Sequence, residues 1–461
     1  MKHYDAIVIG AGQAGTPLAK KLAESGKKTA IIEKRMVGGT CINDGCTPTK
    51  AMIASARIAF QARKAAELGV EVHKVKVNLQ QVVKRKDEIV KSFRESSQRG
   101  LEGTKGLDLI FGEAHFSGEK ELTVVSADGT QEILTADWIF INTGAKTIIP
   151  DIDGIQSIDY LTSTSILDLV DVPEHLLVLG GNYIGLEFGQ MYSRFGSKVT
   201  VLEQSSRLLG KEDEDISEEV KKFLQEEDIE ILTRAKTKQF DLDDKGAIIA
   251  SVEVDGISRK IRASHVLIAV GRSPQTAQLE LESTGVKTDE KGYILVNPTL
   301  ETNISGIYAL GDVKGGPAFT HIAYNDYTIV YRNLLKNSNY SIEERPVPYC
   351  MFTDPQLGRI GLSEQQAKAK GLNIKVAVLP MTQVARGIET GETKGMMKAV
   401  VDADTKQILG AAILAADGGE IVTVLQMAMQ GNITHEQIRF GVFAHPTYAE
   451  SLNNLFMKIE D

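Results

Sequence analysis

The chain is poor in cysteine, with three in 461 residues. So few thiols exclude the disulfide framework that stabilises many secreted proteins. The N-terminus shows no basic segment followed by an apolar stretch, so no secretory signal is visible. These two absences predict a protein of a reducing compartment, and we expect the cytoplasm. In such a compartment, a close pair of cysteines indicates catalysis rather than structural cross-linking.

The chain also lacks an excess of basic residues and any long apolar run. Lysine and arginine number 52 against 61 aspartates and glutamates, a net charge of −9. Proteins that bind nucleic acid or a membrane surface need a basic face, so we expect neither partner. No apolar run reaches the length of a membrane span. A chain of this length is expected to form about three domains.

Two of the three cysteines lie five positions apart. Cys41 and Cys46 belong to a glycine-rich run from Gly38 to Lys50. A short loop allows two thiols to approach and close a small disulfide ring. Such a ring opens and closes at low cost in free energy, as a redox catalyst requires. The third cysteine, Cys350, lies in an apolar stretch and is expected to be a buried strand residue.

Hydrophobic periodicity predicts two βαβ units, which are typical of an α/β fold with parallel sheets. A strand, a helix and a strand are expected at Tyr4–Gly10, Gln13–Ser25 and Lys28–Glu33, and again about 170 residues later at Leu176–Leu179, Tyr183–Phe195 and Lys198–Glu203. A further helix is expected over 48–68 and another over 78–102.

The first unit carries a dinucleotide-binding pattern at its strand–helix turn. Gly10, Gly12 and Gly15 form G-x-G-x-x-G. In this pattern the first glycine makes the turn, the second admits the pyrophosphate, and the third lets helix and strand pack closely. Glu33 ends the next strand, where a carboxylate binds a ribose hydroxyl. The pattern therefore predicts a dinucleotide site.

The second unit carries a variant of the same pattern. Gly180, Gly181 and Gly185 are present, but Asn182 occupies the position of the middle glycine. Asparagine tolerates unusual backbone angles, so we expect the turn to survive with a slightly shifted pyrophosphate. Glu203 is the acid of this unit, and its charge repels a 2′-phosphate. It predicts NADH as the preferred cofactor over NADPH, a preference that an arginine four residues later softens.

Two dinucleotide sites and a cysteine pair predict a relay, in which a nicotinamide gives a hydride to a flavin and the flavin reduces a disulfide. The chain resembles the FAD-dependent pyridine nucleotide–disulfide oxidoreductases, which include dihydrolipoamide dehydrogenase, glutathione reductase and mercuric reductase. The resemblance covers essentially all 461 residues. The segments that carry it are Gly38–Lys50, Thr143-Gly144, Gly271–Pro274, Thr302–Asp312 and His445–Glu450.

The resemblance implies roles for the reactive residues. Cys46 faces the flavin and Cys41 attacks the substrate, while His445 moves the proton and Glu450 orients its ring. In the family this histidine comes from the other subunit, so a homodimer is implied. The physical chemistry agrees, because Cys46 precedes a helix whose N-terminus stabilises a thiolate.

The resemblance also assigns cofactor contacts, with FAD and NADH, or alternatively NADPH, as the cofactors. Lys50 and Glu187 match a buried pair beside the flavin and the nicotinamide, and Tyr183 matches a ring that gates the nicotinamide pocket. Ala114 falls where many relatives have glycine beside the adenine, and Asp312 matches the residue that binds the ribityl chain. The remaining assigned positions are Gly39, Thr40, Thr143, Gly144, Ile184, Gly271 and Thr320. No metal ligand is expected.

The fold implied is α/β, with two Rossmann-like dinucleotide-binding domains, for FAD and NAD(P), and a C-terminal α+β dimerisation domain. The expected segments are 1–150 for the first part of the FAD domain, 151–272 for the NAD(P) domain, 273–345 for the second part of the FAD domain and 346–461 for the dimerisation domain.

The electron acceptor is less clearly marked in the sequence. Phe352–Gln356 is similar to mercuric reductase, but no second cysteine pair is present. Glu203 argues against glutathione reductase and fits dihydrolipoamide dehydrogenase, from which Ala318–Tyr327 departs. That run and Glu450–Phe456 are more similar to bacterial reactive-chlorine-resistance flavoproteins, cytoplasmic enzymes that use NAD(P)H to detoxify oxidants such as hypothiocyanite. We expect a small-molecule oxidant or disulfide of that kind. Dihydrolipoamide dehydrogenase, a mercuric-reductase-like metal reductase and a non-catalytic flavin-binding protein are the alternatives.

Overall fold

A computed structural model describes residues 1–343 and 345–459. The chain separates into two compact units, each assembled from three stretches. The first unit contains Met1–Ala51, Lys84–Ile148 and Gly271–Arg345, and the second contains Met52–Val83, Ile149–Val270 and Pro346–Asp461. The functional division into four segments stays a prediction.

The first unit is built on a mixed sheet whose centre is parallel. Its strands run in the order Leu107–Phe111, Thr29–Glu33, Lys2–Ile9, Gln131–Ile141, Glu121–Val125 and Glu113–Gly118, and Ile307–Ala309 also pairs with Gln131–Ile141. The central strands Lys2–Ile9 and Gln131–Ile141 are apolar and mostly buried toward their C-terminal ends, as parallel strands covered on both faces require. The register aligns Ile9 with Ile32 and Ile141. The residues that follow these strands therefore leave the sheet at one edge.

Helices and a small ribbon complete this unit. The helices are Gly15–Glu24, Gly39–Asn43 and Thr320–Lys336, together with the first turn of Cys46–Lys64 and most of Leu79–Glu102; the antiparallel ribbon pairs Ala145–Thr147 with Arg272–Pro274. Leu18 and Leu22 are spaced by four residues, which places both on the helix face that packs into the core. Ala323 and Tyr327 bring the helix Thr320–Lys336 to the same core.

The second unit contains the repeated parallel sheet. Its strands run in the order Glu230–Leu232, Lys198–Leu202, His175–Leu179, His265–Ile268 and Tyr160–Leu161. The register aligns Leu179 with Leu202 and Ile268, so the second glycine loop leaves this sheet as the first loop leaves its own. The helix Tyr183–Phe195 follows that loop.

Two antiparallel sheets also belong to the second unit. One has the strands Ala235–Leu242, Ile248–Val254 and Ile257–Ala263; the other has Tyr349–Met351, Gln356–Gly361, Ile408–Ala415, Met396–Asp402 and Ile374–Pro380, in that order. The other helices of the unit are Glu214–Gln225, Glu364–Ala369, Ala385–Thr390, Gly418–Gln430, His435–Arg439 and Ser451–Phe456. The long strand Ile408–Ala415 is buried along nearly its whole length.

The predicted α/β class is confirmed. The helix predicted over Tyr183–Phe195 is found with the same ends. The helix predicted over 48–68 begins earlier, at Cys46, and its last four residues form a 3₁₀ turn instead. Periodicity did not reveal the helix Thr320–Lys336. Within residues 1–343 and 345–459, no helix combines the length and the apolar character that crossing a membrane requires.

Candidate functional site

The first glycine loop is held by the acid that follows the next strand. The Ala11 N–H donates to Glu33 Oε2 at 2.9 Å, and the Arg35 N–H donates to Glu33 Oε1 at 2.8 Å. Glu33 is buried. A buried carboxylate that accepts two backbone N–H bonds is fixed in position. The loop and the acid therefore form one preorganised element, as a ribose-binding carboxylate requires.

The loop that carries the thiols packs directly on this first glycine loop. The Gly38 N–H donates to the Ala11 carbonyl at 2.8 Å. Gly39 adopts φ +60°, and a Cβ atom there would lie 2.8 Å from the Gly12 Cα. Only glycine fits this contact, because a side chain would meet backbone that cannot yield. The contact places the cysteine loop beside the first glycine loop.

Cys41 and Cys46 are in the reduced state and in hydrogen-bond contact with each other. Cys41 is half-buried, whereas Cys46 is exposed and starts the helix Cys46–Lys64. The hydrogen bond to Cys46 and then burial raise the pKa of Cys41, which Thr320 and Lys50 oppose. Within the reduced pair Cys41 therefore holds its proton more tightly than an ordinary thiol, and a helix N-terminus favours negative charge on the sulfur that begins the helix.

Thr320 lies against the same pair of thiols. Its Oγ1 is 3.4 Å from the Cys46 Sγ, and it begins the helix Thr320–Lys336. The sequence associated Thr320 with cofactor binding. The structure brings it to the thiols, where its hydroxyl can donate to a sulfur that carries charge.

Asn43 and Arg94 hold the cysteine loop in shape, and sequence reasoning missed both. The Asn43 amide donates to the carbonyls of Val37 and Gly39 at 3.1 and 3.0 Å. Its Oδ1 accepts from Arg94 Nε at 2.8 Å. The position of an asparagine between two cysteines was the available signal for Asn43. Nothing local marks Arg94, because it lies 51 residues away in sequence.

Asn142 is a further residue that the sequence did not single out. It follows the strand Gln131–Ile141, and its Nδ2 donates to the Gly10 carbonyl at 3.0 Å. A Cβ atom on Gly15 would lie 2.8 Å from that nitrogen. Asn142 therefore ties the first glycine loop to the segment that carries Thr143 and Gly144. Its place after a strand that is parallel to the first was the signal for it.

Gln275 fixes Thr143 and Gly144, the predicted middle signature. Its Nε2 donates to the Thr143 carbonyl at 2.8 Å, and its N–H donates to the Gly144 carbonyl at 2.9 Å. The Thr143 hydroxyl donates in return to the Gln275 carbonyl at 2.8 Å. The segment after Gly271 is thus bonded to the middle signature.

Asp312 lies in a 3₁₀ turn over Gly311–Lys314. Burial raises the pKa of its carboxyl, while the charges of Arg272 and Lys314 oppose that rise. Arg272 Nη2 lies 3.9 Å from the Asp312 carboxylate. A carboxylate in this setting can accept bonds from the hydroxyls of a polyol chain.

Other predicted contacts of FAD lie in the same unit. Ala114 is buried in the strand Glu113–Gly118, and Thr40 lies in the short helix Gly39–Asn43. Lys50 lies in the first unit, near the start of the helix Cys46–Lys64. The glycine contacts and the carboxylates Glu33 and Asp312 suit a dinucleotide with a pyrophosphate and two polar sugar chains.

The second glycine loop repeats the arrangement of the first. The Gly181 N–H donates to Glu203 Oε2 and the Ser205 N–H donates to Glu203 Oε1, both at 2.7 Å. The tolerance of asparagine for unusual backbone angles is not used at Asn182. Its φ and ψ are −104° and 178°, which is extended backbone, and its side chain accepts from the Tyr183 N–H. The backbone at this position does not require glycine, and asparagine serves there as the helix N-cap.

Tyr183, Ile184, Gly185 and Glu187 lie on the helix that follows this loop. Tyr183 is partly exposed, whereas Glu187 is buried. Glu187 Oε1 accepts the Phe352 N–H at 2.8 Å. The Phe352–Gln356 run that the sequence analysis noted thus holds the acid of this helix in place.

His445 and Glu450 form the predicted pair. His445 Nδ1 lies 2.9 Å from Glu450 Oε2 and 3.1 Å from Oε1. A carboxylate at Nδ1 holds the proton there and leaves Nε2 as the basic nitrogen. The His445 side chain is 68% exposed, although the sequence analysis gave it a catalytic role. Within the described ranges 1–343 and 345–459, no group of three or more His, Cys, Asp or Glu side chains is placed to hold a metal ion.

Comparison with protein families gives two matches in succession. Residues 4–326 match the model of the pyridine nucleotide-disulphide oxidoreductases, and residues 347–456 match the dimerisation domain of the same proteins. Together they cover most of the chain.

Individual proteins agree with these matches. The chain is 37% identical to the probable pyridine nucleotide-disulfide oxidoreductase RclA of Escherichia coli, over 100% of both chains. It is 38% identical to a mercuric reductase of Staphylococcus aureus, over 97% of this chain and 81% of that protein, and 32% identical to a dihydrolipoyl dehydrogenase of Geobacillus stearothermophilus, over 97% and 94%.

A solved structure resembles the whole chain. It is described as a Cu(II) complex of the HOCl-induced flavoprotein disulfide reductase RclA from Escherichia coli. The TM-score is 0.91 at 35% sequence identity, with 100% of both chains covered.

Proposed function

Because the chain belongs to the pyridine nucleotide–disulphide oxidoreductases, enzymes that bind FAD and a pyridine nucleotide, we propose that it reduces a small oxidised acceptor through the Cys41–Cys46 pair. The observation that carries the proposal is the contact of Gly39 with Gly12. That contact supports the proposal, because the hydrogen-bonded thiols then lie close to the first glycine loop, an arrangement that a structural disulfide would not require.

The first glycine loop, Glu33 and Asp312 are the residues proposed to hold FAD. When bound, FAD accepts a hydride from a nicotinamide and passes two electrons to a disulfide. Glu33 is already fixed by two N–H bonds, so it is ready to accept a ribose hydroxyl. The exposure of Cys46 suits a thiol whose neighbour is a cofactor rather than protein.

The second glycine loop is proposed to hold the nicotinamide cofactor, with NADH preferred over NADPH. Glu203 accepts two backbone N–H bonds that fix its carboxylate beside Gly181. A fixed carboxylate there accepts a ribose 2′-hydroxyl and repels a 2′-phosphate. Tyr183 and Glu187 follow on the helix Tyr183–Phe195 and are proposed to line the nicotinamide side.

The thiol chemistry follows from the hydrogen bond between the two sulfurs. Cys41 gives up its proton to a base and attacks the oxidised atom of the acceptor; for hypothiocyanite an S–S bond forms, the S–O bond breaks, and the oxygen leaves as water with the proton from Cys41 and one from solvent. The Cys46 thiolate then attacks the Cys41 sulfur, closes the disulfide and releases the reduced acceptor. The thiol–thiolate pair loses two electrons and the one proton of Cys41, and the acceptor gains two electrons, that proton and a second proton from solvent. Since the pKa of Cys41 is raised, this step needs a base, and His445 is proposed for it.

His445 is proposed to act on the thiols of the partner subunit in a homodimer. Its side chain is exposed, and the segment around it matches the dimerisation domain. Phe440, at 74% exposure, and Val442 are large apolar side chains of the same segment that also lie open. Exposed apolar side chains beside a catalytic histidine are expected where a second subunit covers them.

The proposed acceptor is an oxidant of the reactive-chlorine type, such as hypothiocyanite, and the proposed compartment is the reducing cytoplasm. The full-length similarity to a flavoprotein described as HOCl-induced supports this choice. Cu(II) is the second candidate acceptor, because that relative is described as a Cu(II) complex and because paired thiolates suit Cu(I), the product of one-electron reduction.

A steady-state screen of the purified holoenzyme tests this proposal. NADH and NADPH are each paired with hypothiocyanite, Cu(II), lipoamide, glutathione disulfide and Hg(II). We expect a high rate with NADH and hypothiocyanite. The variant Cys41→Ser should lose that rate and keep bound FAD and a slow NADH-oxidase leak, whereas Cys350→Ser serves as the matched control and should keep both. A high rate with the lipoamide disulfide alone contradicts the proposed acceptor, and full activity of Cys41→Ser contradicts the relay.

A further inference from the structure

Asp326 is a fully buried carboxylate, with 0% of its side chain exposed. It lies in the helix Thr320–Lys336, and its Oδ2 accepts the Gly311 N–H at 2.8 Å. Gly311 adopts φ +70°, a left-handed conformation that glycine reaches without steric strain. Asp326 is therefore bonded to the residue that immediately precedes Asp312.

Two buried cations complete the surroundings of this carboxylate. Arg345 Nη1 lies 2.5 Å from Asp326 Oδ1, and Lys314 Nζ lies 3.3 Å from Oδ2. The two cationic side chains are 9% and 4% exposed. Burying ionised groups costs desolvation free energy, and such a cluster is weak evidence for stability in itself. A role in fixing geometry accounts for its place here.

The cluster joins the two ends of the Gly311–Lys314 turn. Asp326 binds the N–H at its start and the ammonium of Lys314 at its end. The charge of Lys314 also acts on Asp312, which lies between Gly311 and Lys314 in the sequence. The same helix begins with Thr320, which contacts Cys46. The helix Thr320–Lys336 thus contacts both the Gly311–Lys314 turn, through Asp326, and the thiol of Cys46, through Thr320.

We propose that Asp326, together with Lys314 and Arg345, is a positioning residue that holds the Gly311–Asp312 turn in the conformation that binds FAD. The inference rests on the proposed role of Asp312 in the FAD site. Asp326 acts through the turn and not by contact with the cofactor. Its loss should therefore weaken FAD binding and change the environment of the flavin.

The experiment compares four variants of the full-length protein. Asp326→Ala removes both the acceptor and the charge, whereas Asp326→Asn keeps an acceptor oxygen of nearly the same shape. Asp312→Asn tests the site on which the inference rests. Glu227→Gln is the matched control, because Glu227 is a buried carboxylate paired with Arg194 in the second unit. The FAD Kd is measured by flavin fluorescence on apoprotein, with the flavin absorption spectrum of the holoprotein and the Tm of the apoprotein.

We expect Asp326→Ala to raise the FAD Kd by about tenfold or more and Asp326→Asn by less, each with a shifted flavin spectrum. Glu227→Gln should lower the Tm and leave the FAD Kd unchanged. If Asp312→Asn weakens FAD binding while both Asp326 variants keep the wild-type Kd and spectrum, the inference alone is overturned. An unchanged Kd for Asp312→Asn overturns the proposed FAD site and the inference with it. Should Asp326→Ala not fold, Asp326→Asn decides, because it preserves the shape of the side chain. An equal rise in Kd for Glu227→Gln also overturns the inference, since it would reflect general destabilisation.

Discussion

Gly39 of the cysteine loop lies against Gly12 of the first glycine loop so closely that a Cβ atom on Gly39 would be 2.8 Å from the Gly12 Cα. The two loops also share the hydrogen bond from the Gly38 N–H to the Ala11 carbonyl. The position of the cysteine loop relative to the first glycine loop is thus fixed by backbone contacts, which adjust less easily than side-chain contacts.

Gly39→Ala is expected to disturb this contact. Gly39 adopts φ +60°, and an alanine in left-handed backbone costs about 1–2 kcal/mol. The clash with the Gly12 Cα adds to that cost and moves one of the two loops. We expect a lower Tm and a weaker affinity for FAD, measured by thermal unfolding and flavin fluorescence.

Gly129→Ala is the matched control for that variant. Gly129 adopts φ +83°, but no atom lies within 4 Å of a Cβ atom placed on it. It carries the same kind of backbone strain without the clash, so its Tm should fall and its affinity for FAD should stay at the wild-type value. Equal affinities for all three proteins would show that the loop contact does not shape the FAD site.

The reactivity of Cys41 should increase when Cys46 is replaced by serine. The hydrogen bond and the charge of Cys46 raise the pKa of Cys41, together with burial. In Cys46→Ser two of these three causes are weakened or removed, so the pKa of Cys41 falls. More of Cys41 is then thiolate at a given pH, and alkylation by iodoacetamide becomes faster.

Mass spectrometry of the alkylated peptides measures this change across about pH 6–10, a range that spans the titration of an ordinary thiol. The curve for Cys41 should move to lower pH in Cys46→Ser than in the reduced wild-type protein. Cys350, in the same samples, reports on reagent and exposure and should not change. A Cys41 curve that stays in place or moves to higher pH would contradict the proposed division of charge within the pair.

Mixed dimers test whether His445 serves the thiols of its partner. Cys41→Ser and His445→Gln are each expected to be inactive toward the oxidant. If each site combines the thiols of one subunit with the histidine of the other, a mixed dimer has one intact site and one doubly altered site. Random reassociation should then restore about a quarter of the wild-type rate.

The readout is the rate of oxidant reduction after the two inactive proteins are unfolded, mixed and refolded together. Each variant refolded alone is the control and should remain inactive. No recovery in the mixture, with dimers shown by light scattering, would mean that His445 acts within its own subunit or not at all.

Glu203→Gln is expected to weaken the preference for NADH. The change keeps the side-chain size but removes the charge that repels a 2′-phosphate, so the ratio of kcat/KM for NADH to that for NADPH should fall by about tenfold. Glu33→Gln is the matched control, because Glu33 makes the same pair of backbone hydrogen bonds in the first loop. With rates normalised to bound FAD, its ratio should equal that of the wild type. A wild-type ratio in Glu203→Gln would place the selectivity elsewhere.

Local patterns were sufficient to predict much of the fold and the candidate site. Glycines at a strand–helix turn, an acid one strand later and two nearby cysteines are short-range signals, since each depends on backbone angles or on a few residues of spacing. The helix Tyr183–Phe195 was predicted with its observed ends for the same reason. At Asn182 the sequence did not show that the backbone is extended and that the side chain caps the helix, because both depend on the local conformation of the loop.

The sequence by itself determined the two glycine loops, the cysteine pair and the α/β class, because these follow from residue type and periodicity along the chain. Only the tertiary structure showed that Gly39 packs on Gly12, that Arg94 holds Asn43 and that Asp326 binds Gly311. Each of these contacts joins residues that lie 15 to 51 positions apart in the sequence, so no local periodicity marks them. A buried carboxylate or arginine looks like any charged residue in the sequence until the fold removes water and supplies its partner.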